Sequence, residues 1–289
     1  MCDDKLPNMG DRPYTELTRR RFAALGAAAA GLTGVAGQAF AQAAVTERDV
    51  TIRTPDGACD AVLFTPTGAG RWPGVLFWPD AGGLRQVKRD MGRRMASQGY
   101  VVLVVNPYYR TDKAAAMAAL NTQVPAEAAK RTAARAAMTP EAVVRDARTF
   151  VAYLDRLPQT SNAKVGVQGY CMGGALSIRT AAAMPNRIGA VGSFHGGNGL
   201  VSQDPNSPHL LIAKTNARYL FATAKNDDEM DPSIKGGLSA ALYQAGRPGI
   251  VDVYQANHGW CVPASAAYHE AEAERAWAEL SDIYKRSLT

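Results

Sequence analysis

The chain has 289 residues, 47% of them hydrophobic and 20% charged, with a formal net charge of +6. That is ordinary globular composition and argues against a fibrous repeat or a disordered chain. The charge is only mildly basic, and Lys130, Arg131 and Arg135 are interleaved with alanine rather than with aromatic stacking platforms, so they read as a solvated helix face and no nucleic-acid partner is expected.

Residues 1–41 read as a targeting segment. Thr18-Arg19-Arg20-Arg21-Phe22 precedes an Ala/Gly-rich apolar stretch from Ala23 to Phe40, and Ala39-Phe40-Ala41 offers a small-x-small cleavage site. Paired arginines before a mildly apolar stretch look like a twin-arginine leader, so the expectation is a bacterial protein exported by twin-arginine machinery to the periplasm or beyond, with residues 42–289 forming one domain. As a membrane anchor an Ala/Gly stretch inserts poorly. No later segment reaches about 18 apolar residues without charge, so no stable membrane insertion of the mature chain is expected.

The first predicted element is an antiparallel hairpin, from short alternating runs at 50–53 and 60–65 around Thr54-Pro55-Asp56-Gly57. Nearly unbroken apolar runs follow at 74–78, 100–105, 164–168, 188–194, 217–222 and 250–254, the texture of strands buried on both faces. Between them lie helical patterns. The clearest follows Thr139 and Pro140, an N-cap and an N1 proline, with Val143, Val144, Ala147, Phe150, Val151 and Leu154 at helical spacing. Others cover 172–184, 233–244 and 266–284. The series predicts an α/β fold: a mostly parallel sheet with helices on both faces, opened by an antiparallel hairpin. The Ala-rich segment 113–138 fits either helical cover over a pocket or a loose excursion.

Chemistry concentrates at Gly169-Tyr170-Cys171-Met172-Gly173-Gly174, between a predicted strand and a predicted helix. That is the layout of a nucleophile elbow. A sharp turn strains its central residue, and small residues two before and two after let strand and helix pass. Cys171 then projects at a helix N-terminus, where the dipole favours thiolate. Of four histidines, His258 follows the last strand, where this architecture puts the base; His209 and His269 lie in a polar loop and the terminal helix. His195 ends a strand and is expected to line the same cleft. Among the acidic residues of Lys225–Asp231, Asp227 stands nearest a strand end and is the expected orienting carboxylate, while Asp231 before Pro232 looks like a helix N-cap. The expected oxyanion donors are the backbone N–H groups of Met172 and Ala81.

Together these residues resemble the dienelactone hydrolase family of α/β-hydrolases over about residues 61–284, most specifically in Gly169–Gly174, in Asp227 and in His258-Gly259-Trp260. The resemblance implies a thiol nucleophile that opens a lactone or carboxylic ester through a thioester, with small-molecule substrates and no metal or organic cofactor. It also implies that Arg110, ending Asn106-Pro107-Tyr108-Tyr109-Arg110, contacts a substrate carboxylate, with Trp260 of the His-Gly-Trp segment beside the substrate; His195, from its strand end, is a further candidate contact. Two positions depart from the family. Asp80 stands where relatives carry a glutamate beside the thiol, and Val262 stands where a second arginine is expected, with Arg85 the candidate replacement. The rival readings are an acyltransferase, an esterase for larger esters, and a non-catalytic periplasmic binding or redox protein. Beyond the leader, which holds Cys2, three cysteines remain, Cys59, Cys171 and Cys261. Cys59 and Cys261 could pair, and two buried thiols are the favoured reading.

Overall fold

A computed structural model describes residues 43–263 and 265–289; the leader expected at 1–41 lies outside the described residues. The hairpin predicted near residue 55 is longer than its apolar runs suggested. Strands β1 (Val45–Thr54) and β2 (Gly57–Pro66) pair in register from Val45 opposite Pro66 to Thr54 opposite Gly57. Gly57, at φ 137°, closes the turn in a backbone region that side chains disfavour.

The remaining strands are β3 (Gly74–Trp78), β4 (Val101–Val105), β5 (Val165–Tyr170), β6 (Ile188–Phe194), β7 (Arg218–Ala224) and β8 (Gly249–Tyr254). They complete one eight-stranded sheet in the order β1-β2-β4-β3-β5-β6-β7-β8. The β2 strand meets β4 antiparallel, and every pairing from β4 onward is parallel. This is the predicted α/β architecture.

Successive strand residues point to opposite faces, and each face has its own core. On one side Leu76, Leu103, Val167 and Phe221 pack with helices α4 (Pro140–Asp155), α5 (Met172–Ala183) and α7 (Ser233–Ala245). On the other, Phe77, Val102, Val104 and Leu220 pack with α1 (Gln86–Ala96) and α8 (Glu270–Ser287). The α4 helix starts as expected: the Thr139 side chain accepts from Ala142 N and Pro140 fills the first turn. Helix α1 has no counterpart among the predicted elements, because Lys88, Arg89, Arg93 and Arg94 mask an apolar face carried by Met91 and Met95.

The segment 113–138 contains two helices, α2 (Ala114–Ala118) and α3 (Pro125–Ala136). Met117 and Ala134 bury against Tyr108, with Met172 beside them. The excursion is therefore helical cover, and it lies against the residue that follows Cys171. A short helix α6 (Lys225–Met230) continues directly from β7. Among the described residues no helix is long and apolar enough to cross a membrane.

This topology gathers loops at one edge. The chain leaves β3 for β4 on one side and returns at β5 on the other, so the C-terminal ends of β3 and β5 flank a topological switch point, the usual place for a binding crevice. The loops after β3, β5, β6, β7 and β8 all begin at that edge.

Candidate active site

At the end of β5 the chain reverses through Cys171, at φ 53° and ψ −123°, and enters α5 at Met172. Positive φ is costly for a side chain with a Cβ, of order 1–3 kcal/mol, and is held only where neighbours fix it. The neighbours are visible. A Cβ at Gly169 would overlap the Gly173 carbonyl, and one at Gly173 would come within 2.5 Å of the Trp78 carbonyl oxygen. Both glycines are required by close backbone passage, as the elbow reading expected.

The residues expected to work with Cys171 converge on it. His258 Nδ1 lies 2.8 Å from Asp227 Oδ2, which fixes the ring and leaves Nε2 for the thiol. Asn226 steadies the same loop, its Oδ1 accepting from His258 N at 2.7 Å. Asp227 is buried, whereas the His258 side chain is 37% exposed. Burial alone would raise the Cys171 thiol, but the hydrogen bond and charge of His258, helped by Met172 N–H, bring it below its ordinary value. The Asp227 hydrogen bond, then that of Cys171, pushes His258 up to about 10. Each group thus favours the charged form of the other. Asp231 is not drawn in: its carboxylate accepts from Ser233 N and Oγ at the start of α7, although the N-cap position itself falls to Pro232 rather than to Asp231.

The loop after β3 carries Ala81. Its carbonyl accepts from Tyr108 Oη at 2.9 Å, and the same hydroxyl lies 3.4 Å from Met172 Sδ, so Tyr108 ties together the two residues expected to supply oxyanion donors.

The side chains expected to contact substrate are placed differently. Asp80 is ion-paired to Arg85 at 2.6 Å and to Lys88 at 2.8 Å. Burial opposes its ionisation, yet Lys88 and Arg85 hold the carboxyl below the usual range. Arg85 therefore spends its charge on Asp80 rather than standing free as a substituted clamp. Arg110 is likewise committed, forking onto Asp146 at 2.8 Å and bonding Asp56 at 2.6 Å, with its side chain 13% exposed. The cause is local: Asp56 on the hairpin turn and Asp146 on α4 both face it.

His195 and Trp260 are nearly fully buried. The His195 ring meets His258 edge-on at 4.6 Å between centroids, and Trp260 stacks on Tyr254 at 4.4 Å. They back the His258 loop instead of lining an open wall. Burial, then the charge of His258, pushes the His195 imidazole well below its ordinary value. Its φ of 39° and two ring nitrogens without partners among the described residues mark a strained position. Val262 is buried, so its position offers the site no cation.

Lys88 was not anticipated. A lysine in a helix rich in arginine reads as solvated, and only the fold shows its ammonium fully buried between Asp80 and the Tyr170 ring, 4.6 Å from the ring centroid. Cys59 and Cys261 are both buried and unpaired, in the opposite cores of the sheet, which settles the pairing question in favour of free thiols. Arranged in this way, the elbow thiol, the imidazole and the carboxylate can carry nucleophilic acyl chemistry.

Comparison with known proteins follows the same line. The family model described as the dienelactone hydrolase family matches residues 59–288. A carboxymethylenebutenolidase of Rhodococcus opacus is 24% identical over 240 residues, covering 82% of this chain and 90% of that protein. A candidate dienelactone hydrolase of Klebsiella pneumoniae superposes with a TM-score of 0.72 at 20% identity, over 84% of this chain and 99% of the other. A dienelactone hydrolase-like promiscuous phosphotriesterase from metagenomic libraries superposes with a TM-score of 0.66 at 19% identity, over 85% of this chain and 100% of the other. At such identities the structural likeness speaks for the fold.

Proposed function

The chain belongs to the dienelactone hydrolase family and is a carboxylic ester or lactone hydrolase, and from that premise we propose that Cys171, His258 and Asp227 open the substrate through a thioester acyl-enzyme. The single observation that carries this reading is the linkage from the strained elbow cysteine through His258 to Asp227 at 2.8 Å.

The Cys171 thiolate attacks the carbonyl carbon, and the carbonyl π electrons move onto oxygen, where the N–H groups of Met172 and Ala81 are its donors. Collapse of that intermediate restores the carbonyl and expels the leaving oxygen, which takes the proton from His258 Nε2. In a lactone the leaving oxygen stays tethered to the acyl group. His258, now neutral, removes a proton from water as it adds to the thioester, and the second collapse returns the Cys171 thiolate. Asp227 holds the ring orientation and favours its charged form throughout.

Arg85 and Arg110 are each bound to carboxylates of the chain, which supports esters or lactones whose recognition does not depend on a free carboxylate. The leader motif at Arg19-Arg20-Arg21 supports export through twin-arginine machinery and work in the periplasm or outside the cell.

The test is rapid-mixing hydrolysis of p-nitrophenyl acetate with mass analysis of the quenched protein. The expected result is a burst of nitrophenol and a mass gain of one acetyl group on Cys171, both lost in Cys171→Ala. Turnover retained by that variant would sink the proposal.

A further inference from the structure

The Ala-rich excursion brings Arg131, on α3, to the loop that carries Ala81. Its Nη1 donates to the Ala81 carbonyl at 2.6 Å and its Nη2 to the Met117 carbonyl at 2.5 Å. The guanidinium carbon lies 5.5 Å from the centre of the Tyr108 ring, whose hydroxyl is the second donor to Ala81. None of the ion pairs found among the described residues includes Arg131. An arginine with a carboxylate partner is an ordinary brace. One that spends its charge on two main-chain carbonyls, one of them in the loop beside a nucleophile, is a clamp on that loop.

We propose that Arg131 is a positioning residue for the oxyanion loop, the contact through which the helical excursion holds Ala81 in place. This rests on the reading of Ala81 N–H as an oxyanion donor. The peptide unit joining Ala81 to Gly82 is held at both ends: its oxygen by Arg131 and Tyr108, its N–H by Asp80 Oδ1 at 2.9 Å. With that unit fixed, the adjoining unit that carries Ala81 N–H has little freedom left. Hydrogen bonds to a charged donor are the stronger kind, so Arg131 is the larger half of the grip on the carbonyl. Through Met117, buried against Tyr108, the same guanidinium ties the loop to α2 as well as α3. A donor that must already be aimed when charge develops on the carbonyl oxygen acts on the transition state far more than on bound substrate.

The consequence is a specific kinetic signature. Losing one oxyanion donor outright costs about 10²–10³ in kcat, so loosening its support in Arg131→Gln should lower kcat about 10–100-fold with KM within about threefold. Arg131→Lys should recover part of the loss, because an ammonium reaches one carbonyl but not two. Tyr108→Phe removes the other donor to Ala81 while keeping the ring, and should show the same kcat-selective loss in smaller measure. Arg48→Gln, at an exposed position on the edge strand β1, serves as the surface control.

The experiment is steady-state hydrolysis of p-nitrophenyl acetate by the full chain and these four variants, with the rate of Cys171 alkylation by iodoacetamide measured in parallel. Alkylation passes through no oxyanion, so the expected result is a fall in kcat for Arg131→Gln and Tyr108→Phe at an alkylation rate within about twofold of wild type. Unchanged kcat in both variants overturns the proposal. So does a parallel fall in alkylation, which would mean a disturbed thiol site. So does a rise in KM confined to anionic esters, which would make Arg131 a substrate contact. Turnover by Cys171→Ala would instead remove the nucleophile reading beneath it, and that outcome is scored separately.

Discussion

The ammonium of Lys88 lies 2.8 Å from Asp80 Oδ2 with its side chain entirely shielded from water. Burial lowers the proton affinity of Lys88, and the charge and hydrogen bond of Asp80 oppose that fall. Breaking such a pair strands a charge. Lys88→Met should destabilise the fold by about 3 kcal/mol, the low end for a buried pair because Arg85 remains on Asp80. Replacing Asp80 by asparagine alone should cost at least as much, since it leaves the buried ammonium without its counter-charge. Urea unfolding of both variants and of the double variant Asp80→Asn with Lys88→Met checks this, and the double variant should lose less than the two single losses combined.

The thiol of Cys171 is held below its ordinary value of 9.0 and His258 is pushed up to about 10, so the reactive ion pair occupies the interval between them. Thiolate forms as pH rises past the lowered thiol value, and the imidazolium that the proposed mechanism uses to protonate the leaving group is lost as pH rises through about 10. The burst rate should therefore rise on a limb centred below 9.0 and fall on one near 10. Asp227→Asn removes the largest support for the imidazolium and should move the falling limb to lower pH. His258→Ala should move the midpoint of iodoacetamide alkylation above 9.0, because burial alone raises the thiol. A midpoint that stays put would mean another group activates Cys171. Cys59 and Cys261, both raised by burial, should stay unlabelled in the native protein.

Gly173 separates the elbow from the loop that begins at Trp78. A Cβ there would stand 2.5 Å from the Trp78 oxygen and 2.8 Å from that of Pro79, both main chain and unable to swing aside. Gly173→Ala should push the loop carrying Ala81 away from Met172 and cost at least about tenfold in kcat, the lower range for disturbing an oxyanion donor. Single-turnover acylation measures this directly. An unchanged rate would show that the donors do not depend on this close approach.

The elbow was legible because three local signals agreed: a buried strand, glycines at a fixed spacing and a helix directly after. That His258 and Asp227 come together beside the elbow was legible from order along the sheet, since each follows a strand end. The surroundings of Lys88, Arg131 and Arg110 were not legible, for a common reason. The sequence shows a charged side chain but not its partner, and their partners lie across the fold: Asp80 eight residues earlier in a loop, main-chain carbonyls at Ala81 and Met117, and Asp56 and Asp146 on either side of Arg110. A carbonyl acceptor leaves no trace in residue type at all. His195 was expected in the cleft because it ends a strand and Trp260 because of the resemblance, and their rings pack against His258 and Tyr254 respectively.

Arg110 offers the sharpest separation between what the family resemblance implies and what the packing shows. Its fork onto Asp146, whose side chain is 3% exposed, joins the segment after β4 to α4, and Asp56 joins both to the hairpin turn. With the arginine gone, Asp146 keeps only the Tyr109 hydroxyl, at 2.6 Å, in a setting nearly closed to water. Arg110→Gln should therefore cost roughly 3–5 kcal/mol and lower the melting temperature by roughly 10 °C. The ratio of kcat/KM for a carboxylate-bearing lactone to that for its methyl ester should hold within about twofold, since a guanidinium already bound by two carboxylates has little attraction left to offer a third. A tenfold fall in that ratio at unchanged melting temperature would return Arg110 to the substrate, and with it the anionic substrate class that the packing around it disfavours.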